Sequence, residues 1–99
     1  MRISETQIMM IREIVQEVAG SDAKVRLFGS RLDDMARGGD VDLLVEVPRV
    51  VAHPAMLAAR ISARISRQMY GRKVDVLIAA PNLRRLPIHE VAGREGHLL

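Results

Sequence analysis

The sequence predicts a small α+β domain, and three observations carry that reading. An amphipathic helix with a start and a stop signal opens the chain, three short runs rich in Val, Leu and Ile follow, and two proline-led, glycine-ended helical segments lie after the second and third runs. Ser4-Glu5-Thr6-Gln7 has the form of a capping box, and Ile8, Ile11, Ile14, Val15 and Val18 recur at helical spacing until Gly20, so residues 5–19 are expected to be helical. Lys24 to Phe28, Val41 to Val47 and Val74 to Ala79 read as strands. Pro54 to Met69 reads as a helix, with Leu57, Ile61, Ile65 and Met69 on one face and Arg60, Arg64 and Arg67 on the other. Pro87 to Glu95 reads as a terminal helix ended by Gly96. With a helical turn after Gly29-Ser30, the order is αβ(α)βαβα. The breaks at Gly20-Ser21, Gly38-Gly39, Pro48, Gly71 and Pro81-Asn82 are short and no repeat or linker interrupts the chain, so residues 1–99 are expected to form one domain.

Composition narrows the chemistry. A chain of 99 residues, 48% hydrophobic and 27% charged, suits one compact unit with a thin core for which a partner is plausible. There is no cysteine, so disulfides, thiolate metal sites and cysteine nucleophiles are excluded. No apolar run approaches the roughly 20 residues of a membrane span and the N-terminus has no secretory h-region, so a soluble, cytoplasmic protein is expected. The formal net charge of +3 is unevenly distributed: residues 1–47 carry net −3 and residues 48–99 net +6. Thirteen of the 15 basic residues are Arg, which binds phosphate through paired hydrogen bonds, although a codon bias toward Arg explains that excess equally well. Phe28 and Tyr70 are the only aromatics, so a stacking platform for single-stranded nucleic acid is absent.

The informative stretch is Phe28-Gly29-Ser30-Arg31 followed, across a short spacer, by Asp40-Val41-Asp42-Leu43-Leu44-Val45. Side chains alternate across a strand, so Asp40 and Asp42 share one face while Val41, Leu43, Val45 and Val47 share the other. Two neighbouring carboxylates repel unless solvent, a proton or a cation relieves them. Hard oxygen donors select Mg²⁺ or Mn²⁺, and Mg²⁺ commonly takes one or two carboxylates together with substrate phosphates and water. Asp75 lies in a further strand, opposite in facing to Val74, Val76 and Ile78. If that strand pairs beside Val41–Val47 with its aspartate turned the same way, three carboxylates converge, and two metal ions could clamp an in-line phosphoryl displacement. Gly29-Ser30 stands between a strand and a helical turn, where backbone N–H groups and a hydroxyl receive phosphate oxygens. Taken singly, Asp-x-Asp is as compatible with a solvated strand edge, and Gly-Ser with an ordinary turn.

Taken together, these residues resemble the nucleotidyltransferase superfamily, with its Gly-Ser, spacer, Asp-hydrophobic-Asp and later third carboxylate. Leu27-Phe28-Gly29-Ser30-Arg31, Gly39-Asp40-Val41-Asp42-Leu43-Leu44, Val74-Asp75-Val76 and the terminal Ile88 to Gly96 segment are similar to the minimal nucleotidyltransferases over nearly the whole chain. The resemblance implies a small mixed sheet of about three strands flanked by helices, ATP as substrate with Mg²⁺ (two ions), and transfer of AMP to an acceptor hydroxyl with release of pyrophosphate. It implies that Gly29 and Ser30 hold phosphates, that Asp40 and Asp42 bind the metals, and that Asp75 binds the catalytic metal and helps deprotonate the acceptor. Arg31 would add a phosphate contact or form a surface salt bridge. Gly39 departs from relatives that place Ser before the first aspartate, which changes positioning but removes no metal ligand.

The resemblance further implies a partner: minimal nucleotidyltransferases act beside a helical HEPN toxin, as the antitoxin that adenylylates it, typically on tyrosine. Neither membrane nor direct nucleic-acid binding is expected. Three alternatives stay open: an antitoxin that neutralises by contact alone, an enzyme modifying small molecules, and a nucleic-acid-binding module suggested by the high pI. The Arg60, Arg64 and Arg67 side could face solvent, the partner or the nucleotide. His53, His89 and His97 have no metal-site spacing and suit helix-cap or surface roles, and the six methionines suit gap-filling.

Overall fold

The computed structural model describes residues 3–28 and 41–99. Its elements are α1 (Glu5–Ala19), β1 (Lys24–Phe28), β2 (Val41–Glu46), α2 (Pro54–Gln68), β3 (Val74–Ala79), α3 (Pro87–Glu95) and β4 (His97–Leu98). Gly29, Ser30, Arg31 and Asp40, and the helical turn expected after them, lie outside the described residues.

Each start and stop has a local cause. At α1, the Ser4 hydroxyl accepts the Gln7 N–H at 3.1 Å while the Gln7 side chain accepts the Ser4 N–H at 3.0 Å, the reciprocal capping box read from the sequence. Its last turn is closed by Gly20, at φ 110°, and by Arg49, which donates to the Ala19 carbonyl and, at 3.1 Å, to Asp22. Helix α2 begins with Pro54 and ends where Tyr70 and Gly71 both take positive φ (57° and 79°), turning the chain back toward β3. Two serines of α2 bind that return: Ser66 donates to the Arg72 carbonyl at 2.6 Å and Ser62 to the Val74 carbonyl at 2.5 Å.

The strands form one mixed sheet in the order β3-β2-β1-β4, with β2 and β3 parallel and β1 antiparallel to both β2 and β4. Three strands are expected from the sequence and four are present. The extra one is His97–Leu98, a two-residue edge strand too short to show any alternation, which pairs with Arg26 and Leu27. A parallel β2–β3 pair requires a crossover, and α2 supplies it.

Alternation then divides the sheet into two faces. Val41, Leu43, Val45, Val74 and Ile78 point to the side covered by α1 and α2, where Ile11, Ile14, Val15, Ile61, Ile65 and Met69 complete the main core. Among the described residues the opposite face is covered by α3, through a smaller cluster of Phe28, Leu44 and Ala92 flanked by Leu77 and Ala79. His89 fixes α3 on that face. Its Nδ1 accepts the Leu86 N–H at 3.0 Å, which leaves the Nε2–H to donate to the Ile78 carbonyl at 3.0 Å, so the ring is the neutral Nε2–H tautomer. The side chain is 5% exposed and serves as a helix cap and as a bolt to β3.

Two stability measurements check this description. His89→Ala strands the buried Ile78 carbonyl and the part-buried Leu86 N–H and should lower the unfolding free energy in urea by about 1–3 kcal/mol. Gly71→Ala meets no atom but must hold a positive φ, so it should cost about 1 kcal/mol through backbone conformation alone.

Candidate active site

The face carrying α3 also carries the acidic residues, and strand register decides how they meet. Residues of β2 that point to this face are Asp42, Leu44 and Glu46, and their partners in β3 are Asp75, Leu77 and Ala79. The register therefore sets Asp42 directly beside Asp75 on neighbouring strands, about 4.8 Å apart along the hydrogen-bonding direction. On its other side Asp42 is paired with Phe28, the last residue of β1. The row Phe28, Asp42, Asp75 lies at one end of the sheet. The row Lys24, Glu46, Ala79 lies at the other end, where Glu46 forms an ordinary diagonal cross-strand ion pair with Arg26 at 2.7 Å.

Helix α3 crosses this face between the two rows. It packs on Leu44 and Phe28, and the Asp75 side chain stays 51% exposed. A like-charged pair placed directly opposite in a sheet is destabilising. Lys73, two residues before Asp75 and on the same face, brings its amine to 4.0 Å from the Asp75 carboxylate. This loose, solvated contact offsets little of the repulsion. The alternation that places Asp75 also places Lys73 beside it, so this neighbour is readable from the sequence once the strand is recognised.

Of the residues singled out from the sequence, Asp42 and Asp75 are brought together, while Gly29, Ser30, Arg31 and Asp40 lie outside the described residues. Among the described residues no group of three acidic, histidine or cysteine side chains is positioned to hold a metal. Two hard oxygen donors on adjacent strands nevertheless fit an ion of the Mg²⁺ or Mn²⁺ type, which takes one or two carboxylates and completes its shell with water and phosphate oxygens. The basic side of α2 belongs elsewhere. Helix α2 covers the opposite face of the sheet, and Arg64 is engaged with Glu17 of α1 at 2.5 Å, so the possibility that these arginines face the nucleotide finds no support. A hollow of about 290 Å³ beside Val51, Leu57 and Arg60 lies at the far end of β2, away from the aspartates.

Comparison with known families gives a match to the nucleotidyltransferase domain over residues 8–92, from the first turn of α1 to Ala92 of α3, with both aspartates inside it. A comparison with curated proteins gives no match. Among the described residues no helix is long and apolar enough to cross a membrane.

Divalent cations provide the direct check on the aspartate pair. Saturating Mn²⁺ or Mg²⁺ should raise Tm by several degrees, as expected for a ligand that binds the folded state only. Asp42→Asn and Asp75→Asn should each abolish that rise.

Proposed function

Because the chain belongs to the nucleotidyltransferase domain family, we propose that it is a Mg²⁺-dependent adenylyltransferase that transfers AMP from ATP to a hydroxyl, a tyrosine in our reading, of a partner HEPN toxin, and so acts as an antitoxin. The observation that carries the catalytic part of this proposal is the parallel register that pairs Asp42 with Asp75 on one face of the sheet. The partner and the acceptor rest on the resemblance of the motifs to minimal nucleotidyltransferases.

In this reading the end of β1 delivers the chain to Gly29 and Ser30, whose N–H groups and hydroxyl hold the β- and γ-phosphates, with Arg31 adding a guanidinium contact. Asp40 and Asp42 would bind the metal in this reading, and Val41 between them is fully buried and anchors the start of β2. Bound between these carboxylates and Asp75, Mg²⁺ would neutralise charge on the triphosphate and favour in-line displacement. Asp75, half exposed, receives the proton of the incoming hydroxyl. The acceptor oxygen forms a bond to the α-phosphorus, the bond from the α-phosphorus to the bridging oxygen breaks, and pyrophosphate leaves with that oxygen. Positioning and charge neutralisation supply most of the acceleration expected of such a site.

Incubation of a HEPN protein encoded beside this chain with the chain, ATP and Mg²⁺, followed by intact-mass spectrometry, tests the proposal. One or more added AMP units, absent with Asp42→Asn, is the expected result. A tight complex that silences the toxin with no mass change, and equally well with Asp42→Asn, would replace catalysis with neutralisation by contact.

A further inference from the structure

The strand that carries Asp75 also sets a cation beside it. The Val41 N–H donates to the Lys73 carbonyl at 2.9 Å, which carries the β2–β3 ladder one residue beyond the start of β3 and fixes the backbone of Lys73. Alternation then turns the Lys73 and Asp75 side chains to the same face. The amine stands 4.0 Å from the Asp75 carboxylate, with the two side chains 68% and 51% exposed. An ammonium so placed and so hydrated adds little to stability. Its charge nevertheless lies close to any ligand held by Asp75, and it acts on that ligand according to the ligand's sign.

A divalent metal can reach such a site in two forms, as the bare hydrated ion or as its complex with a nucleoside triphosphate. The first is a cation. The second is a net anion, because the triphosphate carries more negative charge than the metal neutralises. A carboxylate pair of the kind the register builds from Asp42 and Asp75 attracts the first and repels the second. Lys73 acts in the opposite sense on both. The nucleotidyltransferase reading, on which this inference rests, supplies the metal and the triphosphate alike. We propose that Lys73 is a specificity-determining residue, which biases the aspartate pair away from the free divalent ion and toward the ion complexed with the triphosphate.

The test is a set of calorimetric titrations of the full chain with Mn²⁺ alone and with the Mn²⁺ complex of ATP, at low ionic strength where exposed charges are least screened. Lys73→Gln should bind Mn²⁺ alone about fivefold more tightly than the parent and the ATP complex about fivefold more weakly. Lys73→Arg, which keeps the charge, should match the parent in both titrations. Lys24→Gln removes the same charge at the far end of the same face and should change neither, which separates a local effect from one of net charge. A loosened or misfolded site would lose both ligands, so changes of opposite sign exclude a merely structural role. Unaltered affinities in Lys73→Gln overturn the inference, as do shifts in one direction or a Lys24→Gln variant that reproduces the Lys73→Gln pattern. Failure of the underlying reading shows in the parent and in Asp75→Asn instead. Mn²⁺ that does not bind, or that binds Asp75→Asn equally well, removes the metal site and the inference with it, and a parent that binds Mn²⁺ but not its ATP complex removes the nucleotide reading and the inference with it.

Discussion

Everything proposed for this molecule depends on one constraint, the parallel register between β2 and β3. A shift of that pairing by one residue would turn the side chains of one strand to the opposite face and bury an aspartate among valines. Val41, Leu43 and Val45 opposite Val74, Val76 and Ile78 prevent the shift, since they must all point into the core shared with α1 and α2. Burial of the apolar face thus forces two carboxylates into apposition on the other one.

The remaining elements act to hold this register. Ser62 and Ser66 attach α2 to the backbone entering β3, and Asn82 makes two hydrogen bonds of 2.9 Å to the backbone of Val51, joining the connection after β3 to the one after β2. On the other face, His89 ties the start of α3 to Ile78 near the end of β3, and Gly96 lets the end of the helix approach β1. Helix α3 consequently lies across the middle of the sheet. The arrangement closes the smaller core and leaves the Asp75 side chain half exposed.

Much of this was legible in the residues themselves. The limits of α1, β1, β3 and α3 follow from local signals such as the Ser4 capping box, the Pro87 start and the stop at Gly20, and they coincide with the observed ones. Strand β2 and helix α2 end one residue earlier than their apolar patterns, at Glu46 and Gln68, because Val47 and Met69 remain buried after regular hydrogen bonding has stopped. The fourth strand was not legible, since two residues carry no period. The burial of His89 was not legible either: its hydrogen bonds go to groups one turn back and on another element, and only the fold brings the latter near. Alternation placed Asp42 and Asp75 each on the polar side of its strand, but their apposition depends on strand order and register, which are long-range properties. The likeness to nucleotidyltransferases anticipated the apposition that local pattern could not.

The central claim is that Asp42 and Asp75 act as one divalent-cation site. Paramagnetic broadening by Mn²⁺ of the amide signals of the isotopically labelled chain addresses it residue by residue. The account predicts that the signals of Asp42 and Asp75 and their neighbours Leu43 and Val76 broaden together at the same substoichiometric Mn²⁺, while those of Glu46 and Ala79 at the far end of the same strands persist. Broadening centred on one aspartate without the other, or spread evenly over the exposed carboxylates, would contradict it.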